Sequence, residues 1–125
     1  MIKILIVDDD KDLCKTISDI LKAEDYFVII AYDGDSALNK LKDERFDLMI
    51  VDYKLYEKNG LQVIEEAKQI NPSLITIMIS AYGNKEVRAR AKKLGTYSFL
   101  DKPFNIMKLI KTVNKALLKN DDNIQ

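Results

Sequence analysis

Ile4-Leu5-Ile6-Val7-Asp8-Asp9-Asp10 runs four apolar residues straight into three carboxylates. An unbroken Ile/Leu/Val run this short reads as a strand buried on both faces, because a strand with one wet face would alternate. Working outward, such runs recur at 2–7, 27–31, 48–51, 75–79 and 97–100. Helical spacing fills the gaps between them. Leu13, Ile17, Ile20 and Leu21 make one stripe, and Ala37, Leu38 and Leu41 a second. Leu61, Ile64, Ala67 and Ile70 make a third, stopped by Asn71-Pro72. Val87, Ala91 and Leu94 make a fourth, which Gly95 ends as a left-handed cap. Ile106, Leu109, Ile110, Val113 and Leu117 make the last. Asp10, Asp33 and Asn105 stand where N-caps belong. Five strand–helix units in strict alternation predict a doubly wound α/β domain, with right-handed crossovers. The domain is expected over 1–119, with a polar, frayed tail at 120–125.

Composition narrows the function. A chain of 125 residues is one domain, large enough to fold without disulfides or structural metal. Twenty Lys+Arg balance twenty Asp+Glu, so the net basic charge of a nucleic-acid or anionic-membrane binder is missing. There is no His, which removes imidazole catalysis and imidazole metal ligation. The one cysteine, Cys14, lies beside the first apolar stripe and reads as a small buried hydrophobe. No apolar run approaches the ~20 residues of a membrane span, and no targeting segment is visible. A soluble cytoplasmic protein is the expectation.

Ligands of open parallel sheets bind beyond the carboxyl ends of the strands. At those ends stand Asp8, Asp9 and Asp10, then Asp52, then Ser80, then Lys102-Pro103. Clustered carboxylates repel one another, and a divalent cation removes that penalty. Asp8, Asp9 and Asp52 therefore read as a Mg2+ site, since Mg2+ prefers oxygen ligands and is often shared with phosphate. Lys102 supplies a compact positive charge and Ser80 a hydroxyl. Together these are the parts needed to place a phosphoryl group on the Asp52 carboxylate.

The motifs Ile4-Leu5-Ile6-Val7-Asp8-Asp9-Asp10, Val51-Asp52 with Gly60 eight residues on, Ile79-Ser80-Ala81 and Lys102-Pro103-Phe104 resemble those of response-regulator receiver domains of two-component signalling. The resemblance covers essentially the whole chain. It implies a flavodoxin-like five-stranded sheet of order 2-1-3-4-5 with five helices. It implies Asp52 as the phosphoacceptor. Mg2+ would be bound by Asp9, Asp52 and the Lys54 carbonyl, with Asp8 acting mostly through water. Ser80 and Lys102 would contact the phosphoryl oxygens, Phe99 would turn inward on activation, and Lys102-Pro103 would be a cis peptide. A sensor histidine kinase or histidine phosphotransfer protein would be the donor, and a downstream protein the target. Direct contact with nucleic acid or membrane is not expected, nor is turnover of an external substrate. Leu55-Tyr56 departs from the family's frequent Met-Pro, so the loop after Asp52 is expected to differ. Lys54 with Ser80-Ala81-Tyr82-Gly83 is similar to the single-domain sporulation phosphorelay intermediate, and Lys54 and Tyr82 are expected to tune access of water to the site.

Other readings compete. Singly, Ser80 could be a turn hydroxyl, Phe99 plain core, and Lys108, Lys111, Lys115 and Lys119 a solvated face. Asp8-x-Asp10 resembles the nucleophile motif of haloacid-dehalogenase-like phosphatases, but Asp12 stands where that motif wants Thr or Val. A pseudo-receiver is disfavoured because every chemical residue is present. The receiver part of a longer DNA-binding transcriptional regulator is the main alternative.

Overall fold

Alternation along the buried strands splits the core into two layers. In β1 (Lys3–Val7), Leu5 and Val7 face one side and Ile4 and Ile6 the other. β2 (Phe27–Ala31), β3 (Leu48–Asp52), β4 (Ile75–Ser80) and β5 (Ser98–Asp101) lie parallel to it in the order β2-β1-β3-β4-β5. Five helices cover both faces: α1 (Lys11–Ala23), α2 (Gly34–Asp43), α3 (Gly60–Ile70), α4 (Lys85–Lys93) and α5 (Ile106–Ile124). Leu5, Val7, Met49, Val51 and Met78 pack with α2, α3 and α4. Ile4, Ile6, Leu48, Ile50, Ile77 and Ile79 pack with α1 and α5. The computed structural model describes residues 1–124, with side chains as far as 118; the expected tail at 120–125 lies outside those described side chains.

The helix ends follow local chemistry. Asp10 and Asp33 cap α1 and α2 by accepting from Leu13 N at 3.0 Å and Ser36 N at 2.8 Å. Asn105 accepts from Met107 N at 2.7 Å at the start of α5. Gly95 (φ 81°) ends α4 with Gly95 N and Thr96 N donating back to Lys92 O and Ala91 O. Two further caps are Asn84 on α4 and Asn59 on α3, the latter in a reciprocal capping box with Gln62. Strands β3, β4 and β5 each run one residue past their apolar stretch, because the ladder continues to Asp52↔Ile79 and Ser80↔Asp101. The polar residues at the sheet's carboxyl edge are therefore held by the sheet itself.

Candidate functional site

The three successive aspartates take three different roles. Asp8, just past β1, is 1% exposed, and its backbone N–H donates to Ala31 O at 3.2 Å. Its Oδ1 accepts the Asp10 N–H at 3.0 Å, leaving Oδ2 for Lys102. Asp9 is exposed, and Asp10 is spent on the α1 cap. Asp52 ends β3 at 6% exposure. Lys102 follows β5; its amide donates to Ser80 O at 2.7 Å and its bond to Pro103 is cis. Its Nζ stands 2.9 Å from Asp8 Oδ2 and 3.3 Å from Asp52 Oδ2. Asp8, Asp9 and Asp52 can each present an oxygen within 4.8 Å of the others.

Burial dominates the electrostatics. It pushes the Asp52 carboxyl up to about 6, Asp8 adds repulsion, and Lys102 partly offsets both. For Lys102, burial pulls the ammonium down. The hydrogen bond to Asp8 and the charges of Asp52 and Asp8 outweigh it and hold the ammonium above its usual range. Cys14 is pushed up to about 12, by burial first and then by Asp8, and its Sγ donates to Asp8 O at 3.3 Å. It is a packing residue that also satisfies a carbonyl.

The loop after Asp52 turns back tightly, with Gly60 N donating to Tyr53 O at 2.6 Å. A Cβ at Gly60 would fall 2.5 Å from the Asp52 carbonyl, so only glycine fits there. Lys58 pins the loop to α3 and α2 through Glu66 at 2.8 Å and Asp35 at 3.5 Å. This holds a segment that has Leu55-Tyr56 in place of a proline-containing pair. Asp9, Asp52, Lys54, Tyr56, Tyr82 and Lys102 line a cleft of about 450 Å3. Over it, Lys54 Nζ donates to the Tyr82 hydroxyl at 3.2 Å and lies 4.9 Å from that ring.

Asp8, Asp9, Asp52 and Lys102 thus converge, and Lys54 and Tyr82 meet beside them. Ser80 is fully buried, with its Oγ accepting the Tyr82 N–H at 2.8 Å. Phe99 stands apart from the acid cluster, half-buried against the α2–α4 layer, with the Arg88 guanidinium 4.4 Å from its ring centroid. Arg88 also pairs with Asp101. That group carries no sequence signal, since its members sit on different elements with no shared period.

The sheet order, the acid cluster at its carboxyl edge and the lysine after β5 define a receiver fold. A sequence model of the response regulator receiver domain matches residues 4–114, and the chain belongs to that family. It is 34% identical over 116 residues to the transcriptional regulatory protein ZraR of Salmonella typhimurium, covering 93% of this chain and 26% of that protein. It is 34% identical over 120 residues to the transcriptional regulatory protein CpxR of Escherichia coli K12, covering 96% and 51%. The chain therefore spans a quarter to a half of these relatives. The CheY-like receiver domain protein of Methanospirillum hungatei JF-1 matches with a TM-score of 0.94 at 29% identity, covering 98% of each chain. The BeF3-activated DrrB receiver domain matches with a TM-score of 0.86 at 27% identity, covering 94% of this chain and 97% of that one.

Proposed function

We propose that Asp52 accepts a phosphoryl group from a phosphohistidine on a sensor histidine kinase or histidine phosphotransfer protein, and that the modified domain engages a downstream protein. The observation that carries this reading is the cluster of Asp8, Asp9 and Asp52 oxygens within 4.8 Å, bridged from Asp8 to Asp52 by Lys102. A donor set of carboxylates, with no nitrogen or sulfur ligand, fits a hard cation. Mg2+ would be held by Asp8, Asp9, Asp52 and the Lys54 carbonyl. When bound, it offsets the charge of the carboxylates and of the incoming phosphoryl oxygens.

In the transfer, an Asp52 oxygen forms the new O–P bond while the donor's N–P bond breaks, and the imidazole leaves with the electron pair. Lys102 and Ser80, tied together through the Lys102 amide, donate to the phosphoryl oxygens. Phe99, three residues before Lys102, follows their inward movement. The product is the protein's own aspartyl-phosphate, so the chain signals rather than turning over an external substrate. Lys54 and Tyr82 cover that product and slow its attack by water. The domain acts in the cytoplasm, alone or as a phosphorelay intermediate. Its balanced charge supports a protein partner over nucleic acid, and among the described residues no helix is long and apolar enough to cross a membrane.

A second reading makes this the receiver of a longer DNA-binding regulator; its 34% identity to the transcriptional regulatory proteins ZraR and CpxR favours it. Intact mass of the protein isolated from its source separates the two. The phosphoacceptor reading is tested by intact mass after incubation with Mg2+ and acetyl phosphate. One added phosphoryl group, absent after chelation and in Asp52→Asn, supports it. If acetyl phosphate gives no adduct and beryllofluoride with Mg2+ also leaves the protein unchanged, the reading fails.

A further inference from the structure

Arg88, in the first half of α4, engages three residues on two other segments, β5 and the loop before α4. Its guanidinium carbon lies 4.4 Å from the Phe99 ring centroid, its Nη2 pairs with Asp101 Oδ2, and its Nε donates to Gly83 O at 3.4 Å. Gly83 is part of the arrangement. A Cβ there would meet the Asp101 carboxylate and fall 3.2 Å from Arg88 Nη2, so a side chain at this position would displace the ion pair.

Two of these targets, Gly83 and Asp101, lie on the segments that carry the donors Ser80 and Lys102. Gly83 is three residues beyond Ser80, whose Oγ is held by the Tyr82 amide at 2.8 Å. Asp101 pairs in register with Ser80 and directly precedes Lys102, whose amide bonds Ser80 O at 2.7 Å. Arg88 thus ties to α4 both chain segments that carry the two donors. A phosphoryl oxygen on Asp52 would compete for Lys102 Nζ, now on Asp8 and Asp52, and for the Ser80 hydroxyl. It would therefore pull on 80–83 and on 101–102 together. Contacts made more fully before ligand capture than after it subtract from the apparent affinity for the ligand.

We propose that Arg88 is a positioning residue that clamps α4, β5 and the 81–83 loop in the unmodified arrangement and so opposes phosphoryl capture at Asp52. The proposal rests on Asp52 being the phosphoacceptor.

The test is calorimetric titration of the full chain with beryllofluoride at saturating Mg2+, beside metal-free urea unfolding. Arg88→Ala is expected to bind roughly threefold to tenfold tighter, the worth of one exposed cation–π contact and one exposed ion pair. Asp101→Asn is expected to tighten binding less. The double variant is expected to bind no tighter than Arg88→Ala, because one clamp has been removed twice. Arg88→Lys, which keeps the charge and loses the planar fork, should fall between. A residue that merely supports the fold would lower the urea midpoint and leave binding equal or weaker; that result in Arg88→Ala overturns the clamp. Should Arg88→Ala fail to fold, Asp101→Asn binding no tighter than wild type overturns it alone. Wild type that binds no beryllofluoride removes the clamp, and with it the Asp52 reading if acetyl phosphate also gives no adduct, whereas tight wild-type binding unchanged in the variants removes the clamp only.

Discussion

Replacing Asp52 by Asn should stabilise the metal-free protein. The folded state holds this 6%-exposed carboxyl at about 6, against an ordinary 3.8, mainly through burial and then through Asp8. A raised carboxyl pKa means the folded state disfavours the ionised form. That cost is fully present above the folded value and is relieved as pH falls through the window from about 6 to 4. Two units are worth about 3 kcal/mol at neutral pH and above, falling to about 1 kcal/mol near pH 4.5. Asn is neutral at every pH and carries none of it. Asp52→Asn in chelator should therefore unfold about 2–3 kcal/mol later than wild type near pH 7.5, a rise on the order of 10 °C for a chain of this size. The gap should narrow near pH 4.5 and close near pH 7.5 on adding Mg2+, which stabilises only the wild type's complete carboxylate set. Urea or thermal unfolding at the two pH values, with chelator and with Mg2+, reads all of this. A variant no more stable than wild type at either pH would refute the assignment of Asp52 as a strained, desolvated carboxylate.

Other substitutions probe separate links. Lys54→Ala and Tyr82→Ala should each shorten the aspartyl-phosphate lifetime severalfold, read by intact mass against time, because each removes half of the pair over the cleft. Unchanged decay in both would show that the pair shields nothing. Cys14 should resist iodoacetamide in the native protein at neutral pH and react once the chain is unfolded, since burial and Asp8 keep its thiol protonated. Thr76→Val should raise the unfolding free energy by roughly 1 kcal/mol, because the Thr76 hydroxyl is fully buried without a hydrogen-bond partner and its loss leaves the shape intact.

Most of the fold was legible because the apolar runs are continuous and the breaks between them are chemically marked. Asn71-Pro72 and Gly95 stop helices for reasons of backbone geometry that no neighbour overrides. Strand order was not legible from pattern: five similar Ile/Val runs do not say which lie side by side, and order 2-1-3-4-5 came only with the family resemblance. Strand ends slipped by one residue because Asp52, Ser80 and Asp101 look like loop residues yet complete ladders. The left-handed Asp25 (φ 68°) after α1 was also hidden, because Asp, unlike Gly, carries no firm signal for that conformation. At the site, residue identity was enough to select Asp8, Asp9, Asp52 and Lys102. Their division of labour was not, because which aspartate points inward depends on the amide of Asp10 and the cap of α1. The Arg88–Phe99–Asp101–Gly83 group lay beyond sequence reading altogether, since only tertiary folding joins it.

The central claim is that Asp52, and neither of the other two carboxylates, receives the phosphoryl group. The most direct measurement is borohydride trapping of the acetyl-phosphate adduct formed in Mg2+, followed by tandem mass spectrometry of the peptides. Reduction at residue 52 alone is the expected result. Reduction at Asp8 or Asp9, or an adduct that persists in Asp52→Asn, would contradict the account.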